Sequence, residues 1–171
     1  MGQGEGFRIP EDPAGRHGIL VFAYGNPSRG DDALGPQLIE RLEARRRSGG
    51  LPGVELLTDF QLQVEHALDL VGKARVIFAD AGVTTAEPFD FAPLGPAQDA
   101  SYTTHAMSPQ AVLRVFEQIM CRPPPPAWLL AIRGYSFELG SPLSPAAAAN
   151  LAHAERFLLE EIRAKPQHDS R

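Results

Sequence analysis

The 171-residue sequence predicts an α/β fold, a mostly parallel sheet with helices on both of its faces. Three observations predict it. Short apolar runs recur along the chain without polar alternation, as strands buried on both faces require. Segments with apolar residues at helical spacing separate those runs. Two Ser-Pro pairs, Ser108-Pro109 and Ser144-Pro145, open such segments, with Ser suited to the N-cap and Pro to the first helical position. Strand and helix alternating in this way give a sheet covered on both sides.

Residues 1–17 are rich in Gly, Pro and charge and read as a flexible N-terminal tail, 18–165 as a single domain, and 166–171 as a C-terminal tail. The first strand is the apolar run Ile19 to Ala23. Asp31-Asp32 then open an amphipathic segment with Leu34, Leu38, Ile39 and Leu42 on one face. Arg45, Arg46 and Arg47 suit the negative end of that helix, and Gly49-Gly50 stops it. Val54 to Leu57 is a second strand, and Val64, Ala67, Leu68 and Val71 mark a second helix. Arg75 to Ala79 is the third strand. The connection from Ala81 to Thr104 is long enough to hold a further strand near Phe89-Asp90-Phe91, or to serve a site. Ser108-Pro109 starts a helix whose apolar face is Val112, Leu113, Phe116, Ile119 and Met120. Pro123 to Pro126 form a rigid connection to the strand Trp128 to Ile132. Ser144-Pro145 starts the last helix, with Leu151, Ala154, Leu158 and Ile162.

Composition excludes several classes. A net charge of −5 and a pI near 5.5 oppose a nucleic-acid binder, which carries a basic footprint. The single cysteine, Cys121, provides neither an internal disulfide nor a multi-cysteine zinc site. The apolar run Ile19 to Tyr24 is too short for a signal or membrane segment. A cytoplasmic protein that binds no membrane is expected.

Ligands of open α/β sheets bind beyond the carboxyl ends of the strands. Three segments there carry ionisable groups: Tyr24 to Asp32, Asp80 with Ala81-Gly82, and Ser101 to Ser108 with His105. Each group has a plain structural reading. Asp31 reads first as a helix N-cap and Asp32 as a first-turn acid favoured by the dipole. His105 alone is an ordinary loop histidine. Asp80 is harder to explain structurally, because a carboxylate closing an apolar strand needs hydrogen bonds or a cation. Two acids and one imidazole together make a donor set for a borderline divalent metal such as nickel or zinc.

Other motifs are weaker. The Gly25 to Gly30 loop lacks the Lys-Ser/Thr of a phosphate cradle and ends in two acids. Gly134-Tyr135-Ser136-Phe137-Glu138 departs from a nucleophile elbow at its last position. Glu65-His66 reads as a surface ion pair, and Cys121 as an inert thiol.

With these residues in place, the sequence resembles the nickel-iron hydrogenase maturation endopeptidases from about Gly18 to Ala164. The markers are an apolar strand running into Gly25-Asn26, Asp31-Asp32 with Gly35 after it, the strand Val76 to Ala81 containing Asp80, and Thr104-His105 before a helix. The resemblance implies a three-layer αβα sandwich with a twisted sheet of about five strands. It implies an endopeptidase that removes the C-terminal extension of the hydrogenase large-subunit precursor once nickel is inserted. Carried over by position, Asp32, Asp80 and His105 contact nickel and form the catalytic centre, with Gly25, Asn26 and Asp31 as the supporting loop. Nickel then arrives with the substrate and none is permanently bound. A monomer docking transiently on its substrate is implied.

The chain departs from the family pattern at three places. Asp32 stands where Glu is common, Ala23 replaces the first Gly of a Gly-x-Gly-Asn turn, and Phe60-Gln61-Leu62 replaces a Gly-Gly-Thr stretch. The last form is more like the branch serving soluble NAD-reducing hydrogenases. A chaperone or metallochaperone that holds the precursor without cutting it is the alternative function. A metal-independent hydrolase of small molecules on the same kind of sheet is a third.

Overall fold

Five strands, β1 (Ile19–Tyr24), β2 (Val54–Asp59), β3 (Arg75–Gly82), β4 (Phe89–Leu94) and β5 (Ala127–Arg133), form one sheet in the order β2-β1-β3-β5-β4. The computed structural model describes residues 17–99 and 106–164. The tails predicted at 1–17 and 166–171 lie outside these residues except for His17, and His105 lies outside them too. β2, β1, β3 and β5 are parallel, and β4 runs antiparallel to β5 at one edge. β4 is the additional strand that the long connection after β3 predicted.

Side-chain alternation along the buried strands separates two cores. Val21, Ala23, Ile77, Ala79, Leu130 and Ile132 face α1 (Leu34–Arg47) and α3 (Pro145–Arg163). Leu20, Phe22, Val76 and Phe78 face α2 (Pro109–Met120) and the 3-10 helix Val64–Leu70. The result is the predicted three-layer arrangement. Phe22, Phe78 and Phe116 are among the largest fully buried side chains, and truncating any to Ala would cost about 3–5 kcal/mol.

The Ser caps form as expected. Ser108 Oγ accepts from Ala111 N at 3.1 Å and Ser144 Oγ from Ala147 N at 3.3 Å. Two predicted elements differ. The second helix is a 3-10 helix that buries His66, Ala67 and Leu70, whereas Val64 is exposed. Only seven residues separate its cap at Gln63 from Val71, and i→i+3 bonding is common in segments so short. His66 is therefore not on the surface: its ring meets the edge of Phe22, Nδ1 accepts from Gln63 N at 2.9 Å, and Nε2 lies 3.3 Å from Asp59 Oδ2. The first helix also starts later than expected. Asp31 and Asp32 lie in a 3-10 turn, Gly30–Ala33, ahead of α1.

Among the described residues, no helix is long and apolar enough to cross a membrane.

Candidate active site

β1 and β3 are neighbours at the centre of the sheet, and their carboxyl ends deliver two carboxylates to one place. The chain leaves β1 at Tyr24 and turns back at once. Gly25 has φ +147°, and a Cβ there would strike the Asp32 carbonyl oxygen, so this turn needs glycine. Asn26 N donates to Asp32 Oδ2 at 2.8 Å, and Asp32 N donates to the Arg29 carbonyl at 3.1 Å. Asn26 Oδ1 accepts from Ser28 N at 2.9 Å. These bonds hold the Asp32 carboxylate over the end of β1.

Asp31 points the other way. It is fully buried and does not cap α1, because its carboxylate is taken up by a distant segment. Oδ2 accepts from Tyr135 N at 2.7 Å, Ser136 N at 3.0 Å and the Ser144 hydroxyl at 2.8 Å, and Oδ1 accepts from Ser144 N at 2.7 Å. Burial alone would raise its pKa, but the hydrogen bonds from Ser144, Tyr135 and Ser136 outweigh it and hold the carboxyl below its ordinary value. The local N-cap preference loses to four charge-assisted bonds. Ser136 meets Asp31 through its backbone N–H.

Asp80 lies near the end of β3, opposite Ala131 of β5. Burial pushes its carboxyl up to about 6, against hydrogen bonds from Ala81 N, at 2.7 Å, and from the Tyr24 hydroxyl. The Asp32 charge adds to the upward push. Tyr24 is itself shifted upward, by burial first and then by the charge and hydrogen bonding of Asp80. Two acids close enough to oppose each other's ionisation suit a site that accepts a proton or a cation.

A cleft of about 540 Å³ opens beside this pair, lined by Tyr24, Asp80, Asp99, Ala106, Met107, Ser108 and Pro109. Met107 N donates to the Leu62 carbonyl at 3.1 Å, fixing that wall to the segment after β2. Asp99 accepts from Ser108 N at 3.0 Å and also from the Ser108 hydroxyl. The structure thus brings Asp32 and Asp80 together, with Gly25 and Asn26 holding the loop. His105 precedes the cleft-lining Ala106 in sequence but lies outside the described residues. Among the described residues, no three metal-ligating side chains are grouped.

Tyr24 and Asp99 are site residues that the sequence patterns do not single out. Tyr24 had one available signal, its place at the end of an apolar strand; Asp99 had none. Cys121 is exposed, at the left-handed end of α2.

No protein-family model matches the chain, and no curated protein matches it. Solved structures do. The chain is similar to the hydrogenase maturating endopeptidase HybD from E. coli, with a TM-score of 0.65 and 24% identity over 90% of this chain and 99% of that one. This is the hydrogenase maturation protease fold. The [NiFe] hydrogenase maturation protease HycI from Thermococcus kodakarensis shares it at a TM-score of 0.64 and 21% identity, covering 88% of this chain and 96% of that one. A hydrogenase 2 maturation peptidase from a Thaumarchaeota archaeon shares it at 0.61 and 22%, covering 86% and 99%. In this chain the maturation protease fold sets Asp80 near the end of β3 and Asp32 in the turn that follows the neighbouring β1, where a doubly wound sheet presents its crevice.

Proposed function

We propose that this chain is an endopeptidase that removes the C-terminal extension of a nickel-iron hydrogenase large-subunit precursor after nickel insertion. The observation that supports it most is the carboxylate pair, Asp32 and Asp80, coupled in charge, with Asp80 lining a cleft in the maturation protease fold. Asp32, Asp80 and His105 contact nickel that the substrate already holds, so the chain itself needs no resident metal. Asp80, titrating at about 6, is mostly ionised at neutral pH and sits in the range suited to a general base. It accepts a proton from the water that attacks the scissile carbonyl. Asp32, braced by Asn26 N, holds its charge in place against the metal. Tyr24 steadies Asp80 through its hydroxyl. The protein acts in the cytoplasm as a monomer.

The test mixes the protein with nickel-loaded and nickel-free precursor and follows the large subunit by gel and by mass spectrometry of its C-terminus. Cleavage of the loaded form alone is expected. Equal cleavage of both overturns nickel recognition, and a precursor bound but never cut overturns the endopeptidase.

A further inference from the structure

Among the described residues, five large apolar side chains are conspicuously exposed: Phe60, Val64, Val83, Tyr135 and Leu139. All five follow closely on the carboxyl ends of parallel strands. Phe60 and Val64 come after β2, Val83 after β3, and Tyr135 and Leu139 after β5. Leu139, at 77% the most exposed of them, is anchored beside the Asp32 loop, since Gly140 N donates to the Ser28 carbonyl at 2.7 Å. Exposed apolar groups scattered singly need no explanation, but their confinement to one edge does. At the opposite edge, a cleft of about 750 Å³ includes Trp128, whose ring is covered by Arg75, and Arg75 is in turn bonded to Glu161. The two edges are built differently.

The same loops are acidic. Asp32, Asp59, Glu65, Glu87 and Glu138 lie on them against Arg29 and Arg133. We propose that Phe60, Val64, Val83 and Leu139 form a docking rim around the candidate active site for an apolar, net-basic face of the substrate protein. The inference rests on the endopeptidase reading and specifies how its substrate is held. Leu62, between Phe60 and Val64, accepts from Met107 N of the cleft wall, and Leu139 adjoins the Gly140–Ser28 bond to the Asp32 loop, so a protein seated on the rim brings a chain end towards Asp32 and Asp80. The acidic background favours a basic partner and steers its approach.

The experiment measures steady-state cleavage of nickel-loaded precursor by Leu139→Ser, Val83→Ser and Glu138→Lys. It also measures precursor binding to the same changes made in an uncleaving Asp80→Asn background. Each substitution is expected to raise KM and weaken binding by about tenfold, with kcat and circular dichroism unchanged. Leu139 and Glu138 are exposed, so their replacement leaves the core intact. Wild-type KM in all three variants overturns the rim and leaves the endopeptidase standing. Binding that depends on the rim without any cleavage by the unmodified chain overturns the endopeptidase and keeps the rim. No binding of precursor overturns both.

Discussion

The Tyr24 hydroxyl donates to the Asp80 carboxylate, linking the last residue of β1 to the adjoining strand at the mouth of the cleft. That bond favours the charged form of an acid that burial disfavours. Tyr24→Phe removes the donor and little else. The acid limb of the cleavage pH profile is expected to move upward, while activity well above it stays near wild type. An unmoved limb would separate Tyr24 from Asp80 function.

Asp80→Asn should lower processing by roughly 100-fold or more, and so should His105→Ala. Neither substitution should harm the fold. The folded Asp80 carboxyl titrates at about 6 against an ordinary 3.8, so the folded chain keeps a proton in that window that the unfolded chain has lost. Its contribution to stability therefore falls as pH rises through the window and stays low above it. Asp80→Asn lacks that decline. Urea midpoints at about pH 5 and about pH 7.5 should drop for wild type relative to the variant as pH rises.

Asp31→Asn is expected to act on stability first. The amide oxygen can take the place of Oδ2 and keep the bonds from Tyr135 N, Ser136 N and the Ser144 hydroxyl. Its N–H₂ group then faces the donor Ser144 N and the charge is lost, at about 3 kcal/mol. Because the Asp31 pKa is lowered in the fold, its stabilisation is present above the unfolded value and disappears as pH falls through the folded one. Denaturant melts across acid pH should show wild type converging on the variant. Lost processing at unchanged stability would place Asp31, not Asp32, in the chemistry.

Asp32 stands one methylene short of the commoner Glu. Lengthening it moves the oxygens forward by about 1.5 Å, an advance that a metal–oxygen bond of about 2.0–2.2 Å could not absorb by shortening. The bond from Asn26 N at 2.8 Å must then lengthen or the loop retreat. Asp32→Glu should keep part of the processing activity, and Asp32→Asn should lose roughly 100-fold, both read by precursor cleavage. Normal cleavage by Asp32→Asn would remove this carboxylate from the site.

What sequence reveals here follows the range of each interaction. The three inner strands, β1, β3 and β5, are legible because burial on both faces leaves each a largely uninterrupted apolar run. Asp80 is legible because it interrupts that logic at a strand end. Tyr24 is not, since its partner belongs to a strand that spacing alone cannot set beside it. Asp31 was misread for the same reason: the N-cap preference is local, and the groups that hold its carboxylate lie more than a hundred residues away. His66 escaped because the 3-10 register, not the α-helical one, decides which side of that segment meets Phe22.

The Asp31 bonds also bear on when the site comes into existence. Contacts between residues so far apart in sequence form late, after the loop between them has closed. A nascent chain that has not yet reached Ser144 already contains both carboxylates, the glycine turn and the central strands. It lacks the segment that seats Asp31 and, through it, the turn that carries Asp32. Assembly of the last helix therefore completes the seat of Asp31, and a chain that stops short of Ser144 lacks two of its four bonds.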